Sequence, residues 1–98
     1  MLYLVHMQVG IPAGTDPAEV ERLQAEERIF SHRLQTEGTW RHLWRVTGEF
    51  ANYSVFDVGS HDELHSLLTS LPLYRFMTSV HVTPLAHHPS ALALDCVG

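Results

Sequence analysis

The stretch TWRHLWRVTGEFANYSVFDV, residues 39–58, is rich in β-branched and aromatic side chains and is interrupted at Gly48-Glu49. That composition and that break predict two antiparallel strands joined by a tight turn. Period-two alternation puts Trp40, His42 and Trp44 on one side of the first strand and Leu43 on the other. On the second strand, Asn52 and Ser54 share one side while Ala51, Tyr53 and Val55 share the other.

Working back from this hairpin, residues 20–34 (VERLQAEERIFSHRL) read as an amphipathic helix, with Val20, Leu23, Phe30 and Leu34 forming its apolar stripe. Asp16 and Pro17 suit its start, Glu19 is spaced to complete a capping box, and Gly38 stops it. Before the helix, Tyr3, Val5, Met7, Val9 and Ile11 alternate with Leu2, Leu4, His6 and Gln8, the pattern of a strand. Beyond the hairpin, Ser60 and Glu63 form a second capping box opening a short helix, whose Leu64, Leu67, Leu68 and Leu71 face inward before Pro72 ends it. A last strand is expected from Thr78, and the segment after it has no strong periodicity. The order β-α-β-β-α-β is that of a ferredoxin-like α+β sandwich, a four-stranded antiparallel sheet with two helices on one face. The expected organisation is one domain over residues 1–90 and an arm over 91–98.

In a domain this small the uncovered sheet face calls for a second subunit, because both faces of the Trp40–Trp44 strand carry apolar residues. The net charge of −5, with six arginines as the only basic residues besides histidine, disfavours nucleic acid and anionic membrane as partners. The lone Cys96, the absence of a signal-peptide pattern in MLYLVHMQVGIP and the lack of a long apolar run predict a cytoplasmic protein.

Glu27 interrupts the apolar stripe of the first helix. At about 100° per residue, Val20, Leu23, Phe30 and Leu34 all fall within roughly 60° of it, so its carboxylate is directed inward. Burial without a partner raises a carboxyl pKa and leaves the group poised for proton transfer. The competing reading is an outward-leaning side chain or a buried ion pair with Arg41 or Arg45. Glu26 points away from the stripe and is solvated.

Other polar residues carry paired readings. His42 is a packed core or interface histidine, or a pocket donor. Asn52 is a donor to a ligand oxygen, or it bonds to nearby backbone. Arg41 and Arg45 clamp a carboxylate with their planar forks, or form surface salt bridges. His61 and His65 have helical i, i+4 spacing but lack a third metal ligand, and His87-His88-Pro89 fits a polar turn. No phosphate loop, dinucleotide fingerprint or nucleophile elbow occurs, so no cofactor is expected.

The blocks EGTWRHLWR, ANYSVFDV, LHSLLTSLPL and HHPS strongly resemble the muconolactone Δ-isomerases of the catechol branch of the β-ketoadipate pathway. The likeness runs from Met1 to about Ser90, and the tail ALALDCVG departs from the pattern. The resemblance implies a ferredoxin-like fold of the dimeric α/β-barrel type, a large homo-oligomer described as a decamer, and neither metal nor organic cofactor. It also implies an intramolecular isomerase that converts a lactone, muconolactone, into β-ketoadipate enol-lactone by an allylic proton shift. On that chemistry Glu27 is the base and Asn52 the first choice for the donor to the dienolate oxygen. His42 is the second choice and Tyr53 a weaker one. Arg41 or Arg45 receives the acetate arm, and Trp40 walls the pocket or fills an interface. Two other functions fit less well: a 5-chloromuconolactone dehalogenase using the same first deprotonation, and a non-catalytic small-molecule-binding module of the same architecture.

Overall fold

A computed structural model describes residues 1–92. Its elements run β1 (Leu2–Val9), α1 (Pro17–Glu37), β2 (Trp40–Arg45), β3 (Ala51–Asp57), α2 (His61–Thr69), a 3₁₀ turn (Tyr74–Phe76) and β4 (Met77–Leu85). The four strands form one sheet in the order β2-β3-β1-β4, and every neighbouring pair is antiparallel. The expected α+β sandwich is the observed one. Most of the arm expected over 91–98, including Cys96, lies outside the described residues.

Alternation in β1 is obeyed: Tyr3, Val5 and Met7 are buried, whereas Leu2, Leu4 and His6 are only half-buried and Gln8 is exposed. The buried set meets Leu34 of α1 and Leu64 and Leu68 of α2 in a single apolar cluster, so both helices cover the same sheet face. A second, smaller cluster of Leu23, Leu73 and Phe76 lies towards the other end of α1. Glu27 falls between Leu23 and Leu34, and so between the two clusters.

The helix ends follow local chemistry. Asp16 accepts from the Ala18 amide, and Pro17 suits the first helical position because an N–H there would have no intrahelical partner. The expected capping box does not close, since the Glu19 carboxylate is bound by Arg75 and lies 4.0 Å from Arg22. At the far end Gly38 takes φ +84°, its amide bonding to Gln35 O while the Thr39 amide bonds to Leu34 O. This Schellman closure needs the left-handed conformation that glycine adopts without a Cβ penalty. In α2 the Ser60 hydroxyl accepts from the Glu63 amide at 3.0 Å, and the Glu63 carboxylate reaches back to the Gly59 amide at 2.8 Å.

The hairpin departs from simple alternation. Trp40 pairs with Phe56, but His42 pairs with the adjacent Val55, so Arg41 is an extra residue in a β-bulge. The inserted residue reverses the facing of everything after it. Trp40 therefore lies in the core against Phe56, ring centroids 4.8 Å apart. His42 and Trp44, expected beside it, stand instead on the uncovered sheet face, and Leu43 and Arg45 turn towards the helices. The strands then join through a turn in which the Glu49 amide bonds to Val46 O and Gly48 takes φ +79°.

Candidate active site

Between α1 and the β2–β3 hairpin lies a cavity of about 520 Å³, within the range usual for small-molecule sites. Helix α1 contributes Gln24, Glu27, Arg28 and Ser31, spaced to share one face; β2 contributes Trp40, Leu43 and Arg45, and β3 contributes Asn52. Phe50, Leu73 and Met77 add apolar wall. The bulge is what brings Leu43 and Arg45 here, because without it the period-two pattern directs them to the opposite face.

Glu27 is half-buried and accepts a hydrogen bond from the Leu73 amide at 3.3 Å. Loss of water around the carboxylate raises its pKa above the ordinary glutamate value of 4.5, and the Leu73 N–H opposes part of that rise. The ion pair of the competing reading is not found among the described residues: Arg45 is stacked over the Phe50 ring at 5.2 Å, and Arg41 lies 3.8 Å from Asp57. The carboxylate is thus desolvated yet not neutralised by an ion pair, so its protonated form is favoured more than in an ordinary glutamate. With Arg28 and Arg45 also lining the cavity, the two guanidiniums outnumber the single carboxylate, which favours an anionic ligand.

Of the residues the sequence singled out, Glu27, Asn52, Arg45 and Trp40 converge on this cavity. His42, Tyr53 and Arg41 do not line it. His42 stacks on Trp44 with centroids 5.0 Å apart, and Tyr53 packs against His6 at 4.7 Å, all on the uncovered sheet face. The reason is the bulge for His42 and the alternation of β3 for Tyr53. His61 is engaged by the Tyr3 hydroxyl, and His88 anchors a turn by accepting from the Ser90 amide at 3.0 Å. Among the described residues no group of three or more His, Cys, Asp or Glu is arranged to hold a metal ion. The Trp40 indole N–H is buried and makes no hydrogen bond among the described residues, at a cost of about 1–3 kcal/mol.

Sequence reasoning missed Gln24, Arg28, Ser31, Phe50 and the Leu73 amide. Gln24 and Ser31 were accessible to it, lying three residues before and four after Glu27 on the same helical face. The Leu73 amide carries no sequence signal, since a backbone donor has no residue identity.

The chain is similar to known proteins in both sequence and fold. The family model described as muconolactone delta-isomerase matches residues 1–91. A muconolactone Δ-isomerase of Cupriavidus pinatubonensis is 54% identical over 92 residues, covering 94% of this chain and 99% of the relative. One from Pseudomonas aeruginosa is 48% identical over 95 residues, 97% of this chain and 98% of its own. A muconolactone isomerase crystal structure superposes with a TM-score of 0.88 at 50% identity, covering 94% of this chain and 95% of that one. A dehydrochlorinase from Burkholderia phenoliruptrix, at 17% identity and TM-score 0.63, shares the fold alone. Matched over nearly its whole length by both sequence and structure, the chain belongs to the muconolactone Δ-isomerase family.

Proposed function

We propose that this chain is a muconolactone Δ-isomerase in which Glu27 acts as both base and acid. The Glu27 carboxylate removes the ring proton beside the lactone oxygen, and the electron pair delocalises through the double bond onto the carbonyl as a dienolate. The carboxylic acid so formed returns the proton to the carbon next to the carbonyl, leaving the double bond shifted and Glu27 ionised again. One group serves both steps because burial raises its pKa above the ordinary glutamate value, which makes the carboxylate a stronger base and keeps the acid it forms ready to return the proton.

Asn52 donates its amide to the dienolate oxygen, where charge appears only during reaction and a fixed donor is most effective. Arg45 receives the acetate arm. Trp40, Leu43 and Phe50 form the apolar wall that keeps water from the reacting carbons. The observation that carries this reading is the desolvated carboxylate of Glu27 facing a cavity large enough for a five-membered ring without an arginine to neutralise it.

The assembly is a homo-oligomer, with a decamer the state the family resemblance implies, and the compartment is the cytoplasm. The uncovered sheet face supports association: Trp44 is 55% and Tyr53 44% exposed, too much aromatic surface to leave in water on a domain of this size. No helix among the described residues is long and apolar enough to cross a membrane. Assaying muconolactone beside its 5-chloro analogue tests the reaction. Isomerisation of the parent lactone faster than chloride release from the analogue is expected. Chloride release that outpaces isomerisation would make the chain a dehalogenase.

A further inference from the structure

Ser54 is fully buried, with no exposure at all, in a central strand of the sheet. Its cross-strand neighbours on the same face are Val5 and Leu43, both apolar. A buried hydroxyl among apolar neighbours is unfavourable unless it is hydrogen-bonded, and an apolar residue would fill the position at lower cost. The Ser54 hydroxyl makes one such bond, donating to Asn52 Oδ1 at 2.7 Å.

That bond has a directional consequence. A side-chain amide has an acceptor end and a donor end, and occupying Oδ1 from below turns Nδ2 the other way. Asn52 lines the cavity, and its Nδ2 makes no hydrogen bond among the described residues. The reversed amide would place Nδ2 against the serine oxygen and leave the buried serine proton without an acceptor, which disfavours that state.

We infer that Ser54 is a positioning residue that locks the Asn52 amide with its N–H donors facing the cavity, ready for an oxyanion before substrate arrives. The inference rests on the role proposed above for Asn52. Ser54 does not line the cavity, so it acts through Asn52 and not on the lactone. Preorganisation of this kind raises kcat and leaves substrate affinity nearly unchanged, because the oxygen carries its full charge only after deprotonation.

The test is a double-mutant cycle with Ser54→Ala, Asn52→Ala and the pair, read as kcat and KM for muconolactone and accompanied by circular dichroism. Ser54→Ala is expected to lower kcat by about three- to tenfold, the range one hydrogen bond supports, with KM within about twofold of the parent. In the Asn52→Ala background the same change is expected to have no further effect on kcat. Ser54→Thr, which keeps the hydroxyl, restores most of the rate. The inference is overturned by a parental kcat in Ser54→Ala, by losses that multiply in the pair, or by a rate loss that only tracks loss of folded protein. A parental rate in Asn52→Ala instead removes the oxyanion role of Asn52, and the inference with it.

Discussion

Replacing Arg45 with glutamine removes the guanidinium that the account assigns to the acetate arm while keeping a polar side chain of similar reach. Two unit charges about 4 Å apart at an effective dielectric near 20 attract by about 4 kcal/mol. Arg45 is exposed, so solvent screening and side-chain ordering reduce that figure towards the roughly 1.5 kcal/mol at the low end for hydrogen bonds to charged groups. The expected result is about a tenfold rise in KM with kcat nearly unchanged, since the arm is bound equally in the ground and transition states. Salt separates this from a loss of shape. The screening length falls from about 10 Å at 0.1 M to about 3 Å at 1 M, so the parental KM should climb with sodium chloride while that of Arg45→Gln stays flat. Arg45→Lys should fall between them, keeping the charge but losing the planar fork that stacks on Phe50. Steady-state kinetics across a salt series measures all three. An unchanged KM in Arg45→Gln, or an equal salt dependence in parent and variant, would refute the assignment.

Three further consequences follow from the same geometry. Because burial raises the Glu27 pKa, the acid limb of kcat/KM is expected above pH 4.5, and a limb at or below that value would argue against a desolvated base. The folded chain binds the Glu27 proton more tightly than the unfolded chain does. The stability this contributes is complete below about pH 4.5 and is lost as pH rises through the higher folded value, so urea unfolding of the parent relative to Glu27→Gln should show the parent losing ground across that interval. On the uncovered sheet face, Trp44→Glu places a charge where the proposed subunit contact lies. It is expected to lower the oligomeric mass in light scattering without changing the circular dichroism, and an unaltered mass would place the contact elsewhere.

The sequence disclosed some of this and concealed the rest for identifiable reasons. Glu27 was legible because a helix has a fixed angular step, so its direction follows from Leu23, Phe30 and Leu34 without knowledge of the fold. The period of β3 paired Asn52 with Ser54 on one side but could not say that this side meets the helices, which the strand pairing decides. Across β2 the same reasoning failed, since WRHLW alternates smoothly and no glycine or proline marks the extra residue at Arg41. That one insertion moved His42 away from the cavity and turned Arg45 into it. The Leu73 amide bonds to a residue 46 positions earlier, a tertiary contact that local pattern does not encode. Glu19 satisfied the capping-box spacing, yet a distant arginine, Arg75, took its carboxylate.

If one desolvated carboxylate performs both proton transfers, Glu27→Gln removes the reaction's base and its acid in a single change. The glutamine Oε1 still accepts from the Leu73 amide, so folding and assembly should be retained while the base is lost. General-base contributions of about 10²- to 10⁴-fold predict a fall in kcat for muconolactone of at least about 100-fold. A folded Glu27→Gln protein turning over muconolactone near the parental rate would contradict the account.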